Sequence, residues 1–258
     1  MLTKISRLIL KKNKSKIVCL TAYSKNIAEA IDKYADLILV GDSLGSVLYD
    51  FDTTRKVKLS MMIEHSKSVR KGLKRSIMIV DMPFNTYKNK SQSLKNCKKV
   101  LRETKCDGIK LEGGTKIKEI IKHLIKNKIP VMGHIGITPQ TVRGKFKYKG
   151  KTVSEKNRLI KDSKSLEDAG VFAIVLECIE RNLSKEITEN IKIPTIGIGS
   201  SVHCDGQVLV TDDLIGLNDT KIKFVKKFIN IKKYLNIGLK KFSFEVKSKK
   251  YPLKKHSY

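Results

Sequence analysis

Short apolar runs alternate with longer stretches of helical period along almost the whole chain. Eight runs have the length of β-strands: IVCLTAY (17–23), DLILVGD (36–42), SIMIVDM (76–82), GIKLEG (108–113), PVMGHIG (130–136), FAIVLEC (172–178), PTIGIGS (194–200) and the weaker GQVLVTD (206–212). Most are continuously apolar rather than alternating, which is typical of strands covered on both faces of a parallel sheet. We therefore predict up to eight parallel strands.

The segments between these runs carry helical patterns. They include SMMIEHSKSVRKGL (60–73), SLKNCKKVLRET (93–104), KIKEIIKHLIKNK (116–128) and EKNRLIKDSKSLEDAG (155–170), the last ending on a glycine suited to a helix C-terminal cap. Repeated strand and helix units indicate a parallel α/β fold, either an open doubly wound sheet or a closed (β/α)8 TIM barrel. The eightfold count and the length of 258 residues, close to the roughly 250 typical of such barrels, favour the barrel.

No linker or low-complexity segment interrupts this alternation, so we expect residues 1–258 to form a single (β/α)8 barrel domain with a C-terminal helical tail. The tail contains IKFVKKFINIKKYL (222–235), with apolar residues at helical spacing. The seventh and eighth runs leave almost no room for a helix between them. The loop TPQTVRGKFKYKGKTVS (138–154) is long and rich in Gly and Lys, as expected for either an active-site lid or a plain surface loop.

Composition indicates a globular protein of the cytoplasm. Apolar residues make up 40% and charged residues 31% of the chain. No stretch approaches the ~18 uninterrupted apolar residues of a membrane span, and the N-terminal LIL (8–10) is too short for a signal-peptide core. The five cysteines are scattered and never spaced as CxxC, which argues against a disulfide framework or a structural zinc site and fits a reducing compartment.

The formal charge of +29 raises the hypothesis of a nucleic-acid partner. Its distribution weakens that hypothesis. Only eight of the 54 basic residues are Arg, Lys is spread over almost every helical stretch, and no aromatic residues are interleaved for base stacking. Solvated helix faces filled with Lys explain the charge better. We expect nonspecific attraction to polyanions at low salt, but no specific nucleic-acid partner and no membrane association.

An acidic residue stands at the carboxyl end of four of the predicted strands. Asp42 follows LILVG, Asp81 follows IMIV, Glu112 follows IKL, and Glu177 follows AIVL. Reactive groups of parallel α/β folds lie at this edge, and a carboxylate is costly to bury unless it is paired, hydrogen-bonded or bound to metal. Any one of these acids alone could be a helix N-cap or a salt-bridge partner. Four of them together indicate one shared site.

Two further side chains belong to the same edge. Lys110 lies two residues before Glu112, so both point to one side of the strand, and the cation could hold a substrate anion. His134 in MGHIG is either a donor to substrate or a satisfied core histidine. Oxygen ligands without a His or Cys cluster favour magnesium, which would polarise the ketone of a chelated 2-oxo acid and ease removal of the adjacent proton.

The motifs of the chain, taken in order, resemble those of the ketopantoate hydroxymethyltransferase (3-methyl-2-oxobutanoate hydroxymethyltransferase) family over nearly the whole length. They are LTAY, VGDSLG, DMPF, KLEGG, PVMGHIGITPQ, VLECI, IPTIGIG, DGQVLV and the terminal YPLKKHSY. The resemblance implies a magnesium-dependent (β/α)8 barrel of the phosphoenolpyruvate/pyruvate superfamily, usually a cytoplasmic homodecamer. The implied reaction transfers a hydroxymethyl group from 5,10-methylenetetrahydrofolate to 3-methyl-2-oxobutanoate, in pantothenate biosynthesis.

The same resemblance implies a role for each matching residue. Asp42 and Asp81 would bind magnesium, with Glu112 as a further ligand, direct or through water. Glu177 of VLECI would be the general base. The residues that would contact the oxo acid are Asp42, Ser43, Asp81 and Lys110.

Two alternatives remain beside this assignment. One is another magnesium-dependent 2-oxo acid lyase or mutase of the same superfamily. The sequence lacks the Lys-Lys-Cys-Gly-His loop of the isocitrate lyase branch, which argues against this alternative. The other is a basic, noncatalytic, nucleic-acid-associated protein on the same barrel. The four retained acids argue against this alternative.

The loop 143–150 is shorter than is usual in the family, with Lys145 and Phe146 in place of Gly and Tyr. This difference leaves lid closure and folate contact open.

Overall fold

The structure is a computed structural model that describes residues 3–141, 147–219 and 221–258. The strands are β1 (Ile17–Thr21), β2 (Leu37–Val40), β3 (Ile77–Asp81), β4 (Gly108–Glu112), β5 (Val131–Gly136), β6 (Ala173–Glu177), β7 (Thr195–Ile198) and β8 (Gly206–Leu209). The helices are α1 (Lys4–Ile9), α2 (Lys25–Ile31), α3 (Leu44–Tyr49), α4 (Leu59–Gly72), α5 (Lys90–Thr104), α6 (Lys118–Lys126), α7 (Val153–Ala169), α8 (Arg181–Asn190), α9 (Thr211–Leu214) and α10 (Ile231–Lys247). Lys145 and Phe146, with the central part of the predicted loop 138–154, lie outside the described residues.

The strands close into one parallel barrel in chain order, with β8 pairing back to β1. This confirms the predicted (β/α)8 class, and all eight apolar runs contain a strand. The strands are shorter than the runs because the last residues of several runs leave the sheet toward the loops. As expected, β7 and β8 are joined by 199–205 without a helix.

Two separate apolar clusters cover the two faces of the strands. On β2, Leu37 and Leu39 belong to the inner cluster, whereas Ile38 and Val40 belong to the outer cluster beneath the surrounding helices. Leu8 of α1 belongs to the inner cluster, so the N-terminal helix packs on the barrel interior. Burial on both faces is the physical reason that the strands read as continuous apolar runs.

The same alternation places polar side chains inside the barrel at the carboxyl ends of the strands. On β4, Ile109 and Leu111 belong to the outer cluster, so Lys110 and Glu112 point inward. Asp81, the last residue of β3, has the same inward orientation. A polar layer therefore lies above the inner apolar cluster, at the end of the barrel where loops leave the strands.

Both ends of α7 are capped, and the glycine cap at its C-terminal end was predicted. Thr152 is the N-cap, and its side chain accepts a hydrogen bond from the backbone N–H of Glu155 at 3.2 Å. The Glu155 carboxylate reaches back to the backbone N–H of Gly150 and Lys151, which satisfies further free donors before the helix. Gly170 ends the helix in the left-handed region, at φ 93°.

The helix expected in the C-terminal tail is present as α10. The pattern of helical spacing over 222–235 overlaps only its first residues, since α10 begins at Ile231. The reason lies in the backbone hydrogen bonds: Phe228 N donates to Leu214 O at 2.8 Å, and Ile231 N donates to Ile215 O at 2.9 Å. These donors serve contacts with the segment after α9 and do not build an earlier helical turn.

The chain divides into two compact units, residues 1–210 and 211–258. The first unit is the barrel with α1 to α8. The second contains α9 and α10, and α10 has no buried residue. The expectation of one domain spanning 1–258 stays a prediction. Within the described ranges, no helix is both long enough and apolar enough to cross a membrane.

Candidate active site

The structure brings all the predicted site residues to the carboxyl-end mouth of the barrel. Each is placed by the end of a strand: Asp42 and Ser43 just after β2, Asp81 at the end of β3, Lys110 and Glu112 on β4, and Glu177 at the end of β6. The pairing register sets Asp81 beside Lys110 and Glu112 beside His134. Residues far apart in the chain are therefore neighbours in one polar layer.

A chain of contacts runs across this layer. The Asp42 N–H donates to Asp81 Oδ2 at 3.2 Å, and Lys110 Nζ lies 3.1 Å from Asp81 Oδ1. Lys110 Nζ also lies 3.2 Å from His134 Nδ1, and His134 Nε2 lies 3.2 Å from Glu177 Oε2. The proposed metal ligands and the candidate base are thus linked through Lys110 and His134.

Lys110 is buried among carboxylates and remains charged. Burial lowers the pKa of Lys110, but the nearby carboxylates of Asp81 and Glu112 outweigh it and raise the pKa above its ordinary value. A buried ammonium needs partners of opposite charge. Lys110 is 4% exposed, so solvent screens its interactions little.

The acids respond differently to their surroundings. Burial, followed by repulsion from Asp81 and Glu112, raises the pKa of Asp42 well above its ordinary value. Burial also raises the pKa of Asp81, although Lys110 opposes that rise. Burial raises the pKa of Glu112 as well, but hydrogen bonding to His134 and the charges of His134 and Lys110 lower it overall. The site holds more negative charge than its own cations balance.

His134 responds to opposing charges. Burial and the charge of Lys110 lower the pKa of His134, but the neighbouring carboxylates of Glu112 and Glu177 outweigh them and raise it to about 9. In its neutral form, Nδ1 accepts from the Lys110 ammonium, which has only donors, and Nε2–H faces Glu177. A cation on the carboxylates would favour this neutral form by offsetting their charge.

Gly41 gives Ser43 its place at the mouth. A Cβ added at Gly41 would lie 2.7 Å from Ser43 Oγ and 3.6 Å from Asp81 Oδ2. The Ser43 hydroxyl is hydrogen-bonded to the Tyr23 hydroxyl at 2.8 Å. The glycine in VGDSLG therefore allows the backbone and the serine to approach the acids closely.

Two functional candidates escaped the sequence reasoning. Gln140 is 1% exposed and bonds Asp42, Met82 and Glu112, and Tyr87 bonds Gln140 in turn. Gln140 stands in the motif PVMGHIGITPQ, which signalled the family but no role for this residue. Tyr87 has no signal in the sequence.

The donor chemistry of this mouth fits magnesium. Asp81 Oδ1 is buried and finds no hydrogen-bond donor among the described residues, since its contact with Lys110 is an ion pair without hydrogen-bond geometry. Asp42 and Asp81 offer carboxylate oxygens, and magnesium usually takes one or two carboxylates and completes its shell with water or substrate. Among the described residues, no three His, Cys, Asp or Glu side chains are already arranged around one cation position.

A closed parallel barrel with acids and a lysine at the carboxyl ends of its strands defines an α/β-barrel enzyme. Solved structures share the fold. Phosphonopyruvate hydrolase, solved in complex with oxalate and Mg²⁺, matches with TM-score 0.61 at 10% identity over 81% of each chain. 2,3-Dimethylmalate lyase, described as a phosphoenolpyruvate mutase/isocitrate lyase superfamily member, matches with TM-score 0.61 at 13% identity over 81% of this chain and 79% of that chain.

Closer relatives identify the family. The family profile described as ketopantoate hydroxymethyltransferase matches residues 3–254. A 3-methyl-2-oxobutanoate hydroxymethyltransferase from Pelagibacter ubique (strain HTCC1062) is 64% identical over 99% of each chain. The protein of the same name from Anaplasma marginale (strain St. Maries) is 42% identical over 100% of this chain and 94% of that protein. The chain belongs to the ketopantoate hydroxymethyltransferase family, as its motifs predicted.

Proposed function

We propose that this protein transfers a hydroxymethyl group from 5,10-methylenetetrahydrofolate to 3-methyl-2-oxobutanoate, giving ketopantoate in pantothenate biosynthesis. Family membership over nearly the whole chain carries the proposal. The acids, lysine and histidine in contact at the barrel mouth support it, since they supply groups for a substrate carboxylate, a metal and a base.

In this reaction, Glu177 takes the proton from C3 of the oxo acid. The electron pair of that C–H bond forms the new C–C bond to the one-carbon unit of the folate. Both bonds of that carbon to folate nitrogens break, water supplies the hydroxyl oxygen, and the two nitrogens take up protons as tetrahydrofolate leaves. Glu177 is at the end of β6, and its side chain is 20% exposed, so a substrate can reach it. His134 at 3.2 Å orients the carboxylate.

The oxo acid would be held on the opposite side of the mouth. We assign Lys110 to the substrate's negative charge and Ser43 to a hydrogen bond, with Asp42 and Asp81 holding magnesium and Glu112 contributing directly or through water. When bound, magnesium supplies Lewis-acid polarisation of the ketone, which lowers the cost of removing the adjacent proton.

Reconstitution of the reaction from its purified components tests the proposal. The purified protein is incubated with 3-methyl-2-oxobutanoate, methylenetetrahydrofolate and Mg²⁺, and ketopantoate is measured by mass spectrometry. We expect product in stoichiometric amount or more. No product, under conditions in which the Pelagibacter relative forms it, would refute the proposed function.

The base is tested by exchange of the C3 proton with deuterated water in the absence of folate. Glu177→Gln should slow the exchange by about 10²–10⁴-fold, the usual contribution of general acid–base catalysis. Glu186→Gln makes the same change at an exposed position of α8 and should exchange at the wild-type rate. Normal exchange in Glu177→Gln would place the base elsewhere.

We also propose a cytoplasmic homo-oligomer, a decamer by family resemblance. Large apolar side chains of α10 are exposed, and surfaces of this kind often mark protein contacts. They are Tyr234, Leu235, Ile237, Leu239, Phe242, Phe244 and Val246. All five cysteines are free, which is compatible with a reducing compartment. Light scattering coupled to gel filtration should give ten times the chain mass, and a monomer mass would refute the assembly.

A further inference from the structure

Gln140 joins the ends of three barrel strands from the loop that follows β5. Its side-chain Nε2 donates to Asp42 Oδ2 at 2.7 Å, beyond β2, and to the backbone oxygen of Met82 at 3.0 Å, beyond β3. Its backbone N–H donates to Glu112 Oε2 at 3.1 Å, at the end of β4. One buried residue thus contacts two of the three acids assigned to the metal.

The orientation of the Gln140 amide follows from its partners. The Met82 carbonyl oxygen can only accept, so the amide nitrogen must face it and Asp42. The amide oxygen is then turned to Tyr87, whose hydroxyl donates to Gln140 Oε1 at 2.6 Å. Every polar atom of the Gln140 side chain has a partner, and the side chain is held in one orientation.

This contact leaves room for a cation on the same acid. An ionised carboxylate offers about four acceptor sites, so the single N–H from Gln140 occupies one of them. A hydrogen bond from a neutral amide also restricts rotation of the carboxylate without adding charge. Outer partners of this kind commonly orient metal-binding carboxylates.

We propose that Gln140 is a positioning residue that holds Asp42 and Glu112 in the orientation needed for magnesium, with Tyr87 fixing the Gln140 amide. The proposal rests on the metal site of the proposed function. Gln140 acts through the two acids and is assigned no contact with substrate.

Binding of Mn²⁺, followed by the electron paramagnetic resonance signal of the free ion, tests the proposal without catalysis. Gln140→Leu keeps the size and removes both polar groups, and should weaken Mn²⁺ binding by about 10–100-fold. Tyr87→Phe removes a single hydroxyl and should weaken binding by a smaller factor. Because Tyr87 acts through Gln140, Tyr87→Phe should add nothing in the Gln140→Leu background.

Gln92→Leu is the matched control. Gln92 is partly exposed, and among the described residues its side chain bonds the nearby backbone atoms Lys88 N and Asn85 O. Its Mn²⁺ affinity should equal that of the wild type. Thermal unfolding without metal confirms that each variant is folded. If Gln140→Leu does not fold, Tyr87→Phe alone decides.

The outcomes separate the two proposals. Wild-type protein that binds Mn²⁺, with Gln140→Leu and Tyr87→Phe within twofold of it or tighter, overturns only the positioning role. A double variant whose loss of binding free energy equals the sum of the two single losses overturns the action of Tyr87 through Gln140. Failure of the wild type to bind Mn²⁺ overturns the metal part of the proposed function together with the role of Gln140.

Discussion

Replacing Lys110 by Met tests whether the buried acids depend on their lysine. Met keeps most of the length and the apolar stem of Lys but removes the ammonium. In the structure, Lys110 Nζ is 3.1 Å from Asp81 Oδ1, with side-chain exposures of 5% and 4%. Without Lys110, the excess of buried negative charge at the mouth grows by one unit.

The expected loss of stability is large for one substitution. Removing one partner of a buried ion pair typically costs about 3–5 kcal/mol, because the remaining charge is left buried and uncompensated. Asp42 and Asp81 can reduce this cost by taking up protons, since Lys110 lowers the pKa of both and its removal lets those pKa values rise. We therefore expect about 3 kcal/mol at neutral pH, the lower end of the range.

The sign of the pH dependence follows from the raised pKa values of Asp42 and Asp81. A raised pKa means that the folded state binds the proton more tightly than the unfolded state, so stability falls as pH rises through that pKa. As the pH falls toward 4, close to the ordinary pKa of Asp, both acids take up protons in the folded protein, and the charge that Lys110 compensates shrinks. The difference between the wild type and Lys110→Met should thus be small there and grow toward pH 7.

Urea unfolding in the presence of a chelator, followed by circular dichroism, measures this difference. Lys164→Met is the control, because the ion pair of Lys164 with Glu167 is 2.8 Å long but Lys164 is half exposed. Its free energy of unfolding should barely change. A Lys110→Met protein as stable as wild type at pH 7, or one whose deficit is greatest near pH 4, would refute the reasoning.

Three further predictions concern the metal and the oxo acid. Asp81→Asn should weaken Mg²⁺ binding at least about tenfold by calorimetry, and an unchanged affinity would contradict the ligand role. Because the pKa of Asp42 is raised, Mg²⁺ binding at neutral pH should release protons. The release is detected as a dependence of the measured binding heat on the ionisation enthalpy of the buffer. Binding heats that are the same in all buffers would contradict this prediction. Gly41→Ala should raise KM for the oxo acid, because its Cβ would lie 2.7 Å from Ser43 Oγ, whereas Gly238→Ala has nothing within 4 Å and should leave KM unchanged.

Much of the fold could be predicted because the burial of each strand is visible in the residues of that strand alone. Both faces of the strands are covered, so the apolar runs are continuous, and an acid after a run marks the end of the strand. This reasoning placed Asp81, Glu112 and Glu177 correctly at strand ends, and the spacing of Lys110 and Glu112 correctly gave both the same side of β4.

The connections across the site could not be predicted in this way, because they depend on contacts between distant parts of the chain. Gln140 lies in a loop without periodicity, and its partners Asp42 and Tyr87 are 98 and 53 residues away in sequence. The first residue of α10 could not be predicted from the pattern for a similar reason. The helical spacing over 222–235 was read locally, whereas backbone bonds to the segment after α9 delay the helix to Ile231.

Closure of the barrel is itself a requirement of the proposed chemistry. In an open sheet that kept the same strand order, Asp42 after β2 and Glu177 on β6 would be four strand spacings apart, about 19 Å at ~4.8 Å per strand. That distance is too long for one small oxo acid to meet both a metal held at Asp42 and a base at Glu177. In the closed barrel, inward side chains converge, and Lys110 and His134 bridge the gap through contacts of 3.1 to 3.2 Å. The need for both acids at one substrate thus favours the barrel over the open sheet on chemical grounds, independently of the count of strands.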